Sequence, residues 1–272
     1  MRITSIASGS SGNSIYVGSD TTHLLVDVGI SGKKVLNGVN ALDLDMQDID
    51  GIFITHEHSD HIAGLGVVAR RYGIPIYLTR GTKEAILRSG AVGKIDESLF
   101  TEIRPDEKLT IKDITVNPMR VSHDAADPVA YRFKSGDKNI GIITDLGTYN
   151  DYTVESLRGM DALFIEANHD VNMLEVGPYP YPLKQRILGD KGHLSNELAG
   201  GLLTRLMNDR LQAVFLGHLS KENNLPELAY ESVRVEVTMN QSRMDNYNGI
   251  KISDFPMFVA KRDEISDIVS IA

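Results

Sequence analysis

The stretch GIFITHEHSDH at residues 51–61 decides both the fold and the chemistry of this chain. It begins with a continuous, mostly apolar run, which predicts a strand buried on both faces. The segment after that strand carries His56, His58, Asp60 and His61, which are all good metal ligands. In an extended loop His56 and His58 point the same way, and after a turn Asp60 and His61 can face a second position. The spacing therefore predicts that one loop serves two metal ions.

A plainer interpretation places these histidines on the surface at the start of a helix, with Ser59 or Asp60 as the N-cap. Three further ligands argue against it, because His123, Asp145 and His218 each follow a run that predicts a strand. Two ions about 3.5–4 Å apart can share a bridging hydroxide and clamp the attacking and leaving oxygens of a displacement. We therefore expect a two-metal hydrolytic centre.

The rest of the chain alternates between strand and helix patterns, without an internal repeat or an evident linker. Strands are expected at residues 3–7, 14–17, 24–26, 51–55, 114–121, 129–133, 140–144, 162–165 and 213–216. Helices are expected from about 64 to 72 and from 196 to 207. This order predicts more than one sheet with helices outside, in a single domain over residues 1–272.

Composition narrows the chemistry further. Cysteine is absent, so any metal must be held by imidazole and carboxylate groups. The net charge of -9 argues against a surface that binds nucleic acid everywhere, although a local basic groove stays possible. No run of 18 apolar residues and no apolar signal segment is evident, so we expect a cytoplasmic enzyme with no membrane partner.

The His-x-His-x-Asp-His element and the later His, Asp and His resemble the metallo-β-lactamase superfamily. The resemblance implies an α/β fold, the αββα four-layer sandwich, with a dinuclear site of Zn²⁺ or Mn²⁺ at one edge. It also assigns ligands to the first metal, to the second metal and to the bridge between them: His56, His58 and His123; Asp60, His61 and His218; and Asp145. Asp60 is further expected to support the metal hydroxide, and Asp27 to orient a ligand by a hydrogen bond.

Many true β-lactamases of this superfamily use a thiolate ligand, which a chain without cysteine lacks. The chain therefore resembles the glyoxalase, nuclease and tRNA-processing branches. Glu166 and His193 look like the Glu and His-Ser/Thr motifs of tRNA-maturing endonucleases, where such a pair passes protons near the scissile phosphate. Two plainer interpretations stay open: Glu166 is a solvated strand end, or His193 and Ser195 simply begin a helix.

The loop at residues 8–14, SGSSGNS, is rich in glycine and small polar residues. Its backbone N–H groups could form an anion-binding nest, with Ser10, Ser11 and Asn13 adding donors. The ordinary alternative is a tight connection that needs glycine for positive φ. Further substrate contacts are expected at Lys191, His193 and Ser195.

The glycine-rich loop, the segment GDKGHLSN at 189–196 and the segment LGHLSKENN at 216–224 together resemble the bacterial YycJ/WalJ group. That resemblance covers nearly the whole chain and implies an exonuclease that degrades DNA from the 5′ end. Lys184 and Arg186 are further candidates for substrate contact, whereas Arg70 and Arg71 are better explained as ordinary surface charges. No aromatic series suggests base stacking, so recognition is expected to rest on phosphate and metal.

The leading hypothesis is a metal-dependent phosphodiesterase that acts on DNA. Two rivals use the same scaffold, namely a thioester hydrolase of the glyoxalase type and an RNA-processing nuclease. A rival of another class is a noncatalytic metal-binding regulatory module. The sequence counts against this last rival because no ligand of the set is missing.

Overall fold

The computed structural model describes residues 1–241, 251–254 and 256–272. The chain divides into two compact units. Unit 1 comprises residues 1–120, 125–138 and 261–272, and unit 2 comprises residues 121–124 and 139–260. The single domain over residues 1–272 stays a prediction. No helix in the described part of the chain has the length and apolar character needed to cross a membrane.

Unit 1 contains a seven-stranded sheet with the strand order β14-β1-β2-β3-β4-β5-β6. These strands are β1 (Arg2–Ala7), β2 (Ser14–Gly18), β3 (His23–Val26), β4 (Gly51–Phe53), β5 (Ile76–Thr79), β6 (Phe100–Ile103) and β14 (Val269–Ser270). Strand β3 and the three strands after it are parallel, whereas β14, β1, β2 and β3 pair antiparallel. The same unit holds an antiparallel ladder of β7 (Leu109–Ile111), β8 (Ile114–Arg120) and β9 (Val129–Ser135).

The helices of unit 1 connect the parallel strands and cover apolar residues. They are α1 (Gly32–Asn40), α2 (Ser59–Ile62), α3 (Leu65–Tyr72) and α4 (Arg80–Ser89), with short 3-10 helices at Met46–Asp48 and Glu97–Leu99. Helix α1 begins at Ser31, whose side chain accepts a hydrogen bond from the Lys34 N–H. Helix α3 ends at Gly73 with a φ of 65°, the left-handed conformation that glycine adopts without strain. Local sequence thus sets the start of α1 and the end of α3.

Unit 2 contains four parallel strands in which every pair is in register along its length. They are β10 (Lys138–Ile143), β11 (Ala162–Glu166), β12 (Ala213–Gly217) and β13 (Met257–Val259). The helices are α5 (Asp151–Ser156), α6 (Val171–Val176), α7 (Tyr181–Leu188), α8 (Asn196–Leu206) and α9 (Pro226–Gln241), with a 3-10 helix at Ile252–Asp254. Because parallel strands end at the same edge, the residues that follow β10, β11 and β12 come together there.

The structure confirms most of the expected elements to within one or two residues. The expected strand at 51–55 is too long, since the strand itself ends at Phe53. Ile54 and Thr55 remain buried, but their carbonyl oxygens accept hydrogen bonds from the Tyr131 hydroxyl and the Val129 N–H. The chain therefore leaves the ladder before it reaches the histidines. The remaining elements were not predicted, namely helices α1, α2, α4, α5, α6, α7 and α9 and strands β5, β6, β7, β13 and β14.

Phe53 is the last residue of β4 and packs within an aromatic cluster of unit 1. Its ring stacks on Tyr77 at 4.6 Å between centroids and meets Tyr131 and Phe133 edge-on at 5.4 and 6.0 Å. The side chain is fully buried. This cluster fixes the strand that leads into the histidine-rich loop.

Replacing Phe53 by Ala should therefore lower the free energy of unfolding by about 3–5 kcal/mol, the cost of an unfilled aromatic site in a core. Urea unfolding followed by circular dichroism measures this change. Val67→Ala is the control, because Val67 is 51% exposed on α3 and should change stability by less than about 0.5 kcal/mol. Equal unfolding midpoints for the two variants would contradict the role given to Phe53.

Candidate active site

The histidine-rich loop of unit 1 brings imidazole groups together directly after β4. His56 and His61 are buried and His58 is partly buried. His56 Nε2 lies 3.0 Å from His58 Nδ1. Two nitrogens bound to one tetrahedral Zn²⁺ are about 3.3 Å apart, given bond lengths near 2.0–2.1 Å. The two rings are thus arranged as ligands of a single ion, so the donors present here fit a metal.

Asp60 and His61 lie on the short helix α2 that follows. Asp60 Oδ2 is 3.5 Å from His61 Nε2. Gly29 packs against this turn so closely that a Cβ at position 29 would come within 1.7 Å of the Asp60 carbonyl oxygen. The turn that carries these two donors is therefore held by backbone contact.

Asp27 is the buried partner of His61. Its Oδ2 lies 2.7 Å from His61 Nδ1, and it accepts hydrogen bonds of 2.8 Å from the Thr55 N–H and the Thr55 hydroxyl. Burial raises the pKa of Asp27, against the opposing pull of His61. A carboxylate on Nδ1 fixes the tautomer of a histidine and presents Nε2 to a metal. The contact suits an Asp–His–metal arrangement.

Thr55 was missed by sequence reasoning, although it directly precedes the first histidine. Besides its contacts to Asp27, its hydroxyl lies 3.0 Å from His56 Nδ1 and 3.2 Å from His61 Nδ1. Thr55 therefore links the orienting carboxylate to two rings of the loop. Only its position beside His56 could have signalled this role.

Within the loop at residues 8–14, the N–H groups of Gly9, Gly12 and Asn13 do not form the expected anion-binding nest, because each is bonded within the protein. The Gly9 N–H donates to Asn13 Oδ1, the Gly12 N–H donates to the Gly9 carbonyl, and the Asn13 N–H donates to the Asp60 carbonyl. Gly9 and Gly12 have φ values of 144° and 143°, which supports the alternative of a tight connection that needs glycine. Ser10 and Ser11 are exposed at its tip.

Asn13 is buried and bonded, which leaves it badly placed for the predicted contact with substrate. Its Oδ1 accepts hydrogen bonds from the Ser8 hydroxyl and the Gly9 N–H, and its Nδ2 donates to the Gly9 and Asp60 carbonyl oxygens. The same Nδ2 lies 3.3 Å from His61 Nε2. The side chain thus holds the glycine-rich loop against the metal-binding turn.

Unit 2 holds a second cluster at the carboxyl edge of its parallel strands. One potential ligand atom each from Asp145, Glu166, His193 and His218 lies within 4.8 Å of the others. His123 Nε2 is 3.8 Å from Asp145 Oδ1. Four of the predicted site residues therefore lie close together at this edge, and His123 lies beside them.

The backbone at these strand ends is unusual for residues with side chains. Asp145 and His218 have φ values of 54° and 56°, and Asp27 in unit 1 has a φ of 62°. Left-handed conformations of residues other than glycine cost about 1–3 kcal/mol and cluster at functional sites. The strained backbone thus lies at three positions where a polar residue follows the end of a strand.

His123 is oriented by the backbone of Gly192, for which the sequence predicted no such role. Its Nδ1 lies 3.1 Å from the carbonyl oxygen of Gly192, which directly precedes His193. Burial lowers the pKa of His123, although Asp145 acts in the opposite direction. The neutral ring that results is the form that binds metal.

Glu166 lies at the centre of the unit 2 cluster and is completely buried, so the interpretation as a solvated strand end is wrong. Its Oε1 is 2.7 Å from His193 Nδ1 and 2.8 Å from His218 Nδ1. Its Oε2 accepts hydrogen bonds from the N–H groups of Leu146 and Leu194. Burial alone would raise the pKa of Glu166, but His193 and the hydrogen bonds lower it to about 2. The carboxylate orients two imidazoles at once.

His193 is the member of this cluster that stays in reach of solvent, with 14% of its side chain exposed. Burial disfavours its charged form, but Glu166 and then Asp145 raise its pKa above the ordinary value. Ser195, two residues later, is buried and caps α8 by accepting a hydrogen bond from the Leu198 N–H. The helix-start interpretation therefore describes Ser195, while His193 also pairs with Glu166.

The predicted basic residues have different surroundings. Arg186 forms a two-point contact with Asp124, of 2.5 and 3.0 Å, and Lys184 donates to the Glu175 carbonyl oxygen. Lys191 is exposed beside His193. Arg70 donates to the carbonyl oxygens of Val92 and Lys94, and the Arg71 guanidinium lies over the Tyr72 ring, so both act within unit 1.

The chain is similar to known proteins along most of its length. Residues 22–215 match the family model of the beta-lactamase superfamily domain. Exodeoxyribonuclease WalJ of Streptococcus pneumoniae is 45% identical over 225 residues, which cover 83% of this chain and 84% of that protein. Exodeoxyribonuclease YycJ of Bacillus anthracis is 42% identical over 236 residues, which cover 84% of this chain and 86% of that protein.

The fold also matches solved structures. The metallo-β-lactamase fold protein YhfI from Bacillus subtilis aligns with a TM-score of 0.67 at 19% identity, over 97% of this chain and 98% of that chain. Human tRNase Z, short form, aligns with the same TM-score at 16% identity over the full length of both chains. These matches confirm the predicted α/β fold class.

The contact between Asp27 and His61 leads to a test of metal binding. Asp27→Asn keeps the shape of the side chain and tolerates the positive φ, but removes the charge that supports His61. We expect the affinity for Zn²⁺ to fall about 10- to 100-fold, the usual effect of losing such a partner. Competition with a chromophoric chelator measures it. Asp20→Asn, an exposed site, should match the wild type, and equal affinities for all three proteins would contradict the role of Asp27.

Proposed function

Because the chain belongs to the metallo-β-lactamase superfamily and, within it, to the WalJ/YycJ group, we propose that it is a metal-dependent exonuclease that degrades DNA from the 5′ end. The identity over most of both chains confirms the resemblance to this group. The DNA substrate is supported by the names of these relatives, and the polarity by the resemblance. A DNA substrate also fits the expected cytoplasmic location.

The observation that carries the proposal is the pair of His193 and Glu166 beside Asp145 and His218. A sugar alkoxide is a poor leaving group that needs a proton, whereas a thiolate, whose thiol has a pKa of about 8.5, leaves without one. A partly exposed imidazole with a raised pKa can donate that proton. The pair therefore favours a phosphodiester over a thioester.

Within this proposal Glu166 acts through His193 and does not reach the substrate itself. Its carboxylate accepts from Nδ1 of His193, so that Nε2 is the ring atom directed to the leaving oxygen or to a phosphate oxygen. The same oxygen accepts from Nδ1 of His218. Glu166 is thus proposed as a positioning residue for a proton donor and for a metal ligand.

The proposed cofactors are two divalent ions, Zn²⁺ or Mn²⁺. The ligand assignment that the resemblance implies is kept: His56, His58 and His123 would hold one ion, Asp60, His61 and His218 would hold the other, and Asp145 would be shared. It is supported by the nitrogen and oxygen donors that both clusters contain. When bound, such ions supply a nucleophile from water at neutral pH and offset the charge of the phosphate. Asp60 is proposed to support that nucleophile.

Contacts with the rest of the substrate are proposed at Ser10, Ser11, Lys191 and His193. Each of these side chains is exposed or partly exposed, unlike Asn13, which is buried and bonded within unit 1. The hydroxyl and ammonium groups suit phosphate oxygens, which carry no base identity. The recognition proposed here is therefore independent of sequence.

The decisive experiment compares matched substrates with the metal-loaded protein. We expect Mn²⁺- or Zn²⁺-loaded protein to release mononucleotides from the 5′ end of 5′-phosphorylated DNA, and to act much more slowly on RNA of the same sequence and on S-lactoylglutathione. Asp60→Ala should abolish release, while Asp20→Asn should keep it. No release from DNA at confirmed metal occupancy would overturn the proposal, and turnover of the thioester with inert DNA would favour the glyoxalase-type rival.

The role of His193 can be tested through the leaving group. His193→Ala should lower kcat on DNA by about 10²- to 10⁴-fold, the typical contribution of a general acid. On bis(p-nitrophenyl) phosphate the loss should be far smaller, because p-nitrophenolate leaves without a proton. Steady-state kinetics on both substrates give the two ratios.

His23→Ala is a matched control, since His23 lies in unit 1 and contacts the Tyr16 hydroxyl. It should leave both rates unchanged. Equal losses of His193→Ala on the two substrates would refute proton donation and would instead indicate a role in binding.

A further inference from the structure

The segment at residues 176–188 exposes apolar and aromatic side chains to solvent. Tyr181, the first residue of α7, is 73% exposed, and Val176 and Leu188 are exposed as well. Tyr181 and Leu188 are two helical turns apart and share one face, while Ile187 is buried on the other. Among the described residues Tyr181 exposes the largest fraction of any phenylalanine or tyrosine side chain, so a partner can reach its ring.

Two prolines restrict the backbone on both sides of Tyr181. Pro180 is the N-cap of α7, and Pro182 follows at the start of the helix. Each proline ring fixes its own φ near −65°, so the chain on both sides of Tyr181 has little freedom. A restricted backbone loses less entropy when the residue binds a partner.

Helix α7 leads directly to the proposed proton donor. The His193 N–H donates a hydrogen bond of 3.0 Å to the carbonyl oxygen of Ile187, in the last turn of the helix. Tyr181 and Ile187 are six positions apart, which corresponds to about 9 Å along the helix axis. A stacked DNA strand advances about 3.4 Å per nucleotide, so the axial length from Tyr181 to the end of the helix that binds the His193 N–H corresponds to two to three nucleotides.

The surface between these points carries local positive charge in an acidic chain. Lys184, Arg186 and Lys191 lie there with a single acidic residue of the same segment, Asp190. Arg186 is paired with Asp124, the neighbour of His123. Counting Asp190 and Asp124 against the three cations leaves one positive charge, which the two lysines carry and which complements a phosphate backbone in a chain of net charge -9.

We propose that Tyr181 stacks on an unpaired base of the DNA strand, two or three nucleotides from the phosphate at His193. The proposal rests on the proposed function and adds the form of its substrate. A base in a duplex is stacked on both faces, so the ring of Tyr181 requires a strand that is single-stranded at this point. Aromatic stacking is tolerant of sequence, because every base has a π-face.

Kinetics on single strands of two lengths test this inference. On a 5′-phosphorylated strand of about ten nucleotides, Tyr181→Ala should raise KM about 5- to 150-fold with little change in kcat, the range that loss of one stacked base gives. Tyr181→Phe should match the wild type, since it keeps the ring. On a dinucleotide, which is too short to reach position 181, the wild type and Tyr181→Ala should have the same KM.

A second substrate separates stacking from general damage to the fold. Abasic sites at the second to fourth nucleotides should raise KM for the wild type and leave Tyr181→Ala unaffected. Tyr152→Ala is the control, because Tyr152 is a 37% exposed tyrosine on α5. An unchanged KM for Tyr181→Ala on the longer strand, with DNA still degraded, would overturn this inference alone. A wild type that degrades no DNA of any length would overturn the proposed function and this inference together.

Discussion

A buried carboxylate that accepts hydrogen bonds from histidine is the interaction on which the rest of the site depends. Removing a charged carboxylate from water is costly unless donors surround it. Glu166 meets this requirement with two imidazoles and two backbone N–H groups, and Asp27 meets it with Thr55 and His61. In both cases the donors that offset burial include histidines with a proposed role as metal ligand or proton donor. The demand for internal hydrogen bonding therefore also fixes the orientation of the rings.

The parallel strands explain why these contacts can form at all. Strands β10, β11 and β12 run side by side and end at one edge, where Asp145, Glu166 and His218 leave them. Two of these residues accept a strained left-handed backbone to do so. The sheet supplies rigid positions, while the loops supply the chemistry.

The sequence predicted those parts of the protein that depend on local pattern. Apolar runs located the main strands, and polar residues directly after them located the histidines and aspartates. The hydrogen bonds of Thr55 and Gly192 could not be predicted, because they join residues whose proximity arises only on folding. For the same reason Asn13 looked like a ligand for phosphate, whereas its amide is used within unit 1. The exposure of Tyr181 likewise depends on what packs around α7, and no periodicity reports it.

The absence of sulfur among the candidate ligands has a consequence for the cell that carries this protein. Imidazole and carboxylate groups do not undergo the thiol oxidation that would release a metal from a cysteine site. They also bind several divalent ions, so affinity, coordination geometry and metal supply together decide which ion fills the site. Such a centre would be spared this route of metal loss under oxidising conditions, and its activity would depend on whether Zn²⁺ or Mn²⁺ fills it.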